Sequence, residues 1–354
     1  MIDSIQNILN DALAKKVSDI LIVCGSPLSY KINGQVLPVS DERLSFDDTE
    51  KLVNQIYELS KNRDISNLDK IGDDDFSISI SGFGRFRCNA YKQRNSLSAI
   101  LRTVAFELPD PDSLGIPPRI FDLLNRNKGL ILMTGPAGSG KSTTLACMID
   151  HINRNRKGHI ITLEDPIEYL HSHHSSIVSQ REINHDTQGY DFALRAALRQ
   201  SPDVILVGEM RDFDTIQTVI TAAETGQLVL STLHTIGAAK TIDRIVDVFP
   251  PSQQMQIRVQ LSMALEAVIS QRLVPTIDGK VVAAFEIMVA TPAIRNMIRE
   301  AKVHQMDNVL YAGASQGMQT LDMDLMRLFR EKIITRDNAI MYSANPEIMS
   351  KKLI

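Results

Sequence analysis

The 354-residue chain has no tryptophan, and only 5% of its residues are aromatic. A core built from it must therefore be aliphatic. Cysteine is scarce as well. Cys24, Cys88 and Cys147 stand far apart with no C-x-x-C pair, which excludes a disulfide framework and a cysteine zinc site and suits a reducing compartment. No apolar run approaches the ~20 residues needed to span a bilayer. The opening Met1-Ile2-Asp3-Ser4 lacks the basic and apolar regions of a secretory signal. The expectation is a soluble cytoplasmic protein, with peripheral membrane association as the most a membrane could offer. A dominant charge sign is missing too. Lys+Arg total 38 against 42 Asp+Glu, a formal net charge of −4, so bulk binding of nucleic acid is not expected.

What is present is ordinary for a globular chain: 44% hydrophobic and 23% charged residues, enough for a sizeable core and of a length that fits two domains. Apolar spacing at Ile5, Ile8, Leu9, Ala12 and Leu13 predicts a helix over 4–16, and similar spacing returns over 47–59. Asp19 to Val23, Tyr30 to Val36 with a turn at Asn33-Gly34, Phe76 to Ile80, Arg85 to Tyr91 and Leu97 to Val104 read as strands, with a turn at Gly82-Phe83-Gly84. Residues 1–107 thus read as an α+β domain with a largely antiparallel sheet. Residues 108–118 carry four prolines and one glycine and read as a linker. Beyond them, apolar strands at 129–134, 159–164, 203–207 and 228–232 alternate with helices, the pattern of a mostly parallel sheet covered on both faces. Segments 253–270, 291–301 and 321–333 read as helices and predict an all-helical tail.

The chemistry starts at Gly135, Pro136, Ala137, Gly138, Ser139, Gly140, Lys141 and Ser142, which match G-x-x-x-x-G-K-[ST] in full. A strand precedes the motif and a helix follows it, the context in which glycine-rich backbone N–H groups and a helix N-terminus bind phosphate. Lys141 would reach the β- and γ-phosphates and Ser142 a Mg²⁺ ion; Thr143 completes the ATP-binding set. Small-molecule kinases carry the same loop, so the acids matter. Glu164 and Glu209 each follow an apolar strand, and carboxylates at the C-terminal ends of parallel strands face the ligand crevice. His234 also lies just past a strand. His171, His173 and His174 cluster without a surrounding ligand set and read as a solvated loop.

Together these motifs resemble the secretion and type IV pilus motor ATPases, and within them the twitching-motility retraction ATPases, the PilT family. The resemblance runs through the phosphate loop, the acidic box Ile161 to Glu168, Leu198 to Asp212, Ala223 to Gly226, Thr232 to Thr235 and Ala239 to Pro250. It ends at Thr291-Pro-Ala-Ile-Arg-Asn-Met-Ile-Arg-Glu300, which is similar to a retraction-associated motif. It implies an α/β fold: a RecA-like P-loop core over 119–354, with C-terminal helices from about 291, and a smaller PAS-like α+β N-terminal domain. Mapped residue by residue, it implies that Glu164 activates water and that Glu209 serves Mg²⁺ through water. His234 then belongs to the histidine box, and Arg87 and Arg102 reach the γ-phosphate from the first domain. Arg195, Arg199, Arg211 and Arg244 match further basic positions. Gln227 replaces a histidine usual in the family, and Met297 a common leucine. The implied cofactors are ATP and Mg²⁺. The implied assembly is a homo-hexamer acting on an inner-membrane platform protein and, through it, on pilin. The absence of extra N-terminal segments and of a four-cysteine zinc subdomain favours retraction over extension. An accessory pilus motor, a motor of secretion or DNA uptake, a small-molecule kinase and a non-hydrolysing regulator remain alternative readings.

Overall fold

The computed structural model describes residues 4–32, 34–60, 63–80, 84–104 and 108–353. The expected turn residues Asn33, Gly82 and Phe83 lie outside them. The chain divides into two compact units, Met1–Glu107 with Glu168–Leu170, and Leu108–Ile167 with His171–Ile354.

The first unit contains α1 (Ile5–Ala14), β1 (Asp19–Ile22), β2 (Pro27–Ile32), β3 (Gln35–Arg43), α2 (Phe46–Leu59), α3 (Ser66–Ile71), β4 (Asp73–Ile80), β5 (Gly84–Gln93) and β6 (Ser96–Val104). Its six strands form one antiparallel sheet in the order β3-β2-β1-β6-β5-β4. Each helix offers an apolar stripe to that sheet: Ile5, Ile8, Leu9 and Ala12 on α1, and Leu52, Val53, Ile56 and Tyr57 on α2. A reciprocal Ser45–Asp48 cap starts α2, satisfying backbone N–H groups that have no partner within the helix. The sheet's inner face supplies Phe76, Ile78, Phe86, Cys88, Ala90, Ala99 and Leu101, all buried.

Alternation along β5 and β6 puts the opposite face in water, and there Arg87 pairs in register with Arg102. Like charges directly opposite each other destabilise a sheet. Each guanidinium has its own carboxylate: Arg102 Nε donates to Asp19 Oδ1 at 2.9 Å, and Arg87 Nη2 stands 3.8 Å from Asp75 Oδ2.

The second unit contains α4 (Pro118–Asp122), β7 (Gly129–Thr134), α5 (Lys141–Asn155), β8 (His159–Glu164), β9 (Ile177–Glu182), α6 (Tyr190–Ala197), β10 (Val204–Val207), α7 (Phe213–Thr225), β11 (Leu228–Leu233), α8 (Ala238–Asp247) and α9 (Pro251–Ala264). Then come β12 (Leu265–Pro275), β13 (Val281–Val289), α10 (Pro292–Arg299), α11 (Met306–Ala312), α12 (Leu321–Arg330), α13 (Arg336–Tyr342) and α14 (Pro346–Lys352). The sheet order is β13-β12-β7-β11-β10-β8-β9, parallel except where β13 runs back along β12. Buried cores lie on both faces, one closed mainly by α6 to α10 and the other by α4 and α5. Strands covered on both faces read as continuous apolar runs, which is why β7, β8, β10 and β11 are prominent in the sequence.

The expected helical tail is corrected here. The helix expected over 253–270 stops at Ala264, where Leu265 turns to extended backbone with ψ 130° and begins β12. The tail is therefore not all-helical, because β12 and β13 widen the sheet before α10. The 108–118 segment is a linker by composition, yet Ile116 is buried and Leu114 half-buried against the α4–α5 core. Among the described residues, no helix is long and apolar enough to cross a membrane.

Candidate functional site

The phosphate loop leaves β7 and enters α5 as its sequence requires. Gly138 and Gly140 take φ of 74° and 83°, conformations that glycine adopts without penalty. Gly140 is the N-cap of α5 and has no side chain to cap it, so first-turn N–H groups remain available to an anion. Lys141 is buried, and its Nζ donates to the carbonyls of Gly135 (2.8 Å) and Pro136 (2.9 Å). Among the described residues, Ser139 Oγ is buried without a hydrogen-bond partner. A loop of inward-turned amides, an unpaired buried hydroxyl and a curled-in ammonium fits a polyphosphate. Ser142 is exposed in the first turn of α5, where its hydroxyl can serve a metal.

Gly135 is fixed by its neighbour strand. Its φ is 144°, and a Cβ there would collide with the Gln271 carbonyl oxygen on β12 and lie 2.7 Å from Ser139 Oγ. Gln271 also accepts from Thr144 Oγ1 at 2.8 Å, and Ser270 shares a 2.5 Å hydrogen bond with Thr134. Thus β12, which the sequence pattern hides, is the rail on which the loop sits. Gly135→Ala is expected to destabilise the loop by about 1–3 kcal/mol and to weaken ATP binding about tenfold or more. Calorimetric titration and thermal unfolding check this; unchanged affinity would refute the steric requirement.

The acids meet at the same strand ends. Glu164 closes β8, and its Oε1 accepts from Thr162 Oγ1 at 2.6 Å and Gln180 Nε2 at 3.2 Å. Glu209 follows β10 with a side chain only 11% exposed, paired through Oε1 with Arg211 Nε, while His234 Nε2 stands 3.4 Å from Oε2. Backbone and hydroxyl bonds bind these ends together: Gly208 N to Leu163 O (2.8 Å), Met210 N to Thr232 O (3.1 Å), and Thr232 Oγ1 to Gly208 O (2.5 Å). The Tyr190 hydroxyl fills the space a Gly208 Cβ would need, at 2.8 Å. Burial pushes that phenol up, and Asp165, Glu209 and Glu164 push it further in the same direction, so it stays protonated among the carboxylates.

The phosphate loop, Glu164, Glu209, Arg211 and His234 therefore converge at the C-terminal ends of β7, β8, β10 and β11. Arg195, in the last turn of α6, is exposed; Arg199 lies beyond that helix and donates Nη1 to the Arg195 carbonyl at 3.0 Å. Arg244 is exposed in the last turn of α8. Gln227 precedes β11, so it sits about 20 Å from His234 at the strand's other end, at ~3.3 Å per residue. Its carbonyl accepts from Gly129 N at the start of β7. The histidine cluster is not wholly solvated. His171 is half-buried, its Nδ1 has no hydrogen-bond partner among the described residues, and burial pushes its imidazole down to about 4. His173 Nδ1 accepts from Val178 N at 3.1 Å.

Sequence reasoning missed Thr162, Gln180, Tyr190, Ser270 and Gln271. None belongs to the phosphate-binding signature; Gln180, Ser270 and Gln271 meet their partners only through the sheet order, Thr162 through alternation along β8, and Tyr190 through the packing of α6.

A family model described as "Type II/IV secretion system protein" matches residues 1–344. The type IV pilus retraction ATPase PilT of Pseudomonas aeruginosa is 45% identical over 330 residues, covering 93% of this chain and 95% of that protein. A twitching motility protein of Neisseria gonorrhoeae is 48% identical over 277 residues, covering 78% of this chain and 74% of its own length. The crystal structure of the pilus retraction motor PilT with bound ADP superposes with a TM-score of 0.91 at 44% identity, over 99% of this chain and 100% of that one. The chain belongs to the type II/IV secretion system ATPase family.

Proposed function

We propose that this chain is the ATP-hydrolysing subunit of a motor that retracts type IV pili. One observation carries the reading: a complete phosphate loop shares its strand ends with two differently held carboxylates and a histidine, in a chain similar end to end to a pilus retraction ATPase.

In this reading the Lys141 ammonium leaves the loop carbonyls and binds the β- and γ-phosphates, while the turned amides hold their oxygens. Ser142 and Glu209, the latter through water, would hold Mg²⁺, which when bound neutralises charge on the phosphates. Glu164 orients the attacking water and takes its proton. Its clasp by Thr162 and Gln180 keeps one carboxylate oxygen fixed, as positioning of a base requires. His234, beside Glu209 and past the end of β11, would report the state of the γ-phosphate to the loop ahead of α8. Arg87 and Arg102, side by side on a rigid sheet, would deliver positive charge to the phosphates in the manner of arginine fingers. Loss of those contacts after hydrolysis supplies the reopening half of a stroke. The chain would work as a cytoplasmic ring of six on an inner-membrane platform protein, drawing pilin out of the fibre.

Lys141→Ala in a piliated cell tests the whole reading. The expected result is loss of ATP turnover, surplus surface pili and no twitching. Bald cells would point to extension instead. A purified wild-type chain that released no phosphate from ATP without an acceptor would point to a kinase.

A further inference from the structure

We infer that Gln180 on β9 is a positioning residue for Glu164, clasping the carboxylate in its working orientation. The inference rests on the reading of Glu164 as the base. β9 pairs in parallel with β8, placing Gln180 opposite Thr162 and Glu182 opposite Glu164. Residues 162, 164 and 180 thus share one face of the sheet at its C-terminal edge.

The direction of the Gln180 amide is set by chemistry. Its Oε1 accepts from the backbone N–H of His171 at 2.8 Å. A backbone N–H can only donate, so the oxygen must lie on that side and the NH₂ must face Glu164. The Nε2 to Oε1 distance there is 3.2 Å, and Thr162 Oγ1 reaches the same oxygen at 2.6 Å. Two donors on one carboxylate oxygen fix the plane of the group.

The segment that orients Gln180 is itself anchored to the phosphate-loop helix. Asn153, fully buried on α5, donates Nδ2 to Ser172 O at 2.7 Å and accepts from His174 N at 3.1 Å. Ser175 N and Ser176 N both donate to Asn153 O. From the other side, Ile167 N donates to Glu182 Oε2 at 3.1 Å. The base is therefore tied, through Gln180 and His171, to the helix that holds the phosphates. A shift of α5 on nucleotide binding would be felt at Glu164 through this chain of hydrogen bonds.

Gln180→Glu and Gln180→Ala together test the contact. Gln180→Glu keeps the length of the side chain and the acceptor for the His171 N–H but turns the donor facing Glu164 into a negatively charged oxygen, and Gln180→Ala removes the donor without adding charge. On the full chain, kcat for ATP is expected to fall about tenfold to a hundredfold with KM changed less than about twofold. Gln180→Ala should lower kcat similarly. Added to Glu164→Gln, Gln180→Glu should cost nothing further, because the two residues act as a unit.

Full kcat in Gln180→Glu beside an inactive Glu164→Gln overturns the inference and leaves the base reading intact. A raised KM at unchanged kcat, or a further loss in the double variant, also overturns it. Full kcat in Glu164→Gln sinks the base reading itself.

Discussion

Glu164→Gln is expected to lower ATP turnover by about 100-fold to 10,000-fold while leaving nucleotide affinity nearly unchanged. The substitution keeps shape and polarity. A glutamine oxygen still accepts from Thr162 Oγ1 and Gln180 Nε2, so the strand end is not disturbed. What disappears is the capacity to take a proton from water. Steady-state phosphate release and equilibrium binding of a labelled nucleotide separate the two effects. A fall in affinity with preserved turnover would instead place Glu164 among the groups that hold the nucleotide. The contrast with Glu209 is instructive. That carboxylate is nearly buried and paired with Arg211, with His234 beside its other oxygen.

Replacing Arg87 and Arg102 together by alanine is expected to slow turnover by about 1,000-fold, the scale on which a delivered guanidinium acts in phosphoryl transfer. The effect on stability should be modest. Arg87 and Asp75 are both exposed, so their pair contributes about 1 kcal/mol or less, whereas Arg102 is 66% exposed but its partner Asp19 is buried. Removing both cations also relieves their mutual repulsion across β5 and β6. Asp19, left behind by Arg102, still accepts from Ser18 Oγ at 2.9 Å. Thermal unfolding therefore serves as the control: a variant that unfolds normally and hydrolyses slowly supports the assignment, and one with normal turnover removes both arginines from the mechanism. Lysine at either position keeps the charge but loses the planar fork, so partial activity is expected there.

The sheet's parallel middle was legible because burial on both faces writes itself as apolar runs. The phosphate loop was legible because its glycines have no substitutes. The strands β9, β12 and β13 were not. Leu261 to Val274 mixes apolar residues with Ser262, Glu266, Ser270, Gln271 and Arg272, and no glycine or proline marks where α9 ends and β12 begins. Only pairing with β7 decides the matter there, and pairing is a property of the whole chain. The same blindness extends to the site. Glu164 and Glu209 look alike in sequence, each an acid after an apolar strand. What separates them is Thr162 and Gln180 on one side and Arg211 and His234 on the other. Gln227 shows the converse, since a position that reads as part of the site in sequence stands at the far end of β11. The two arginines were suggested by resemblance, and their separate carboxylates, Asp75 and Asp19, explain how a sheet tolerates them in paired register.

The scarce cysteines, one partly exposed and two buried, also distribute themselves usefully. Cys88 lies in the core of the first unit and Cys147 in that of the second, on the helix behind the phosphate loop; Cys24 alone has partial access to solvent. Burial pushes both hidden thiols up, Cys147 to about 11, so in the folded chain neither supplies the thiolate that an alkylating reagent needs. The natural sequence thus carries one prompt attachment point for a fluorophore and two slow clocks. Each clock starts only when its own unit opens, so local unfolding of either half can be timed separately in the same molecule.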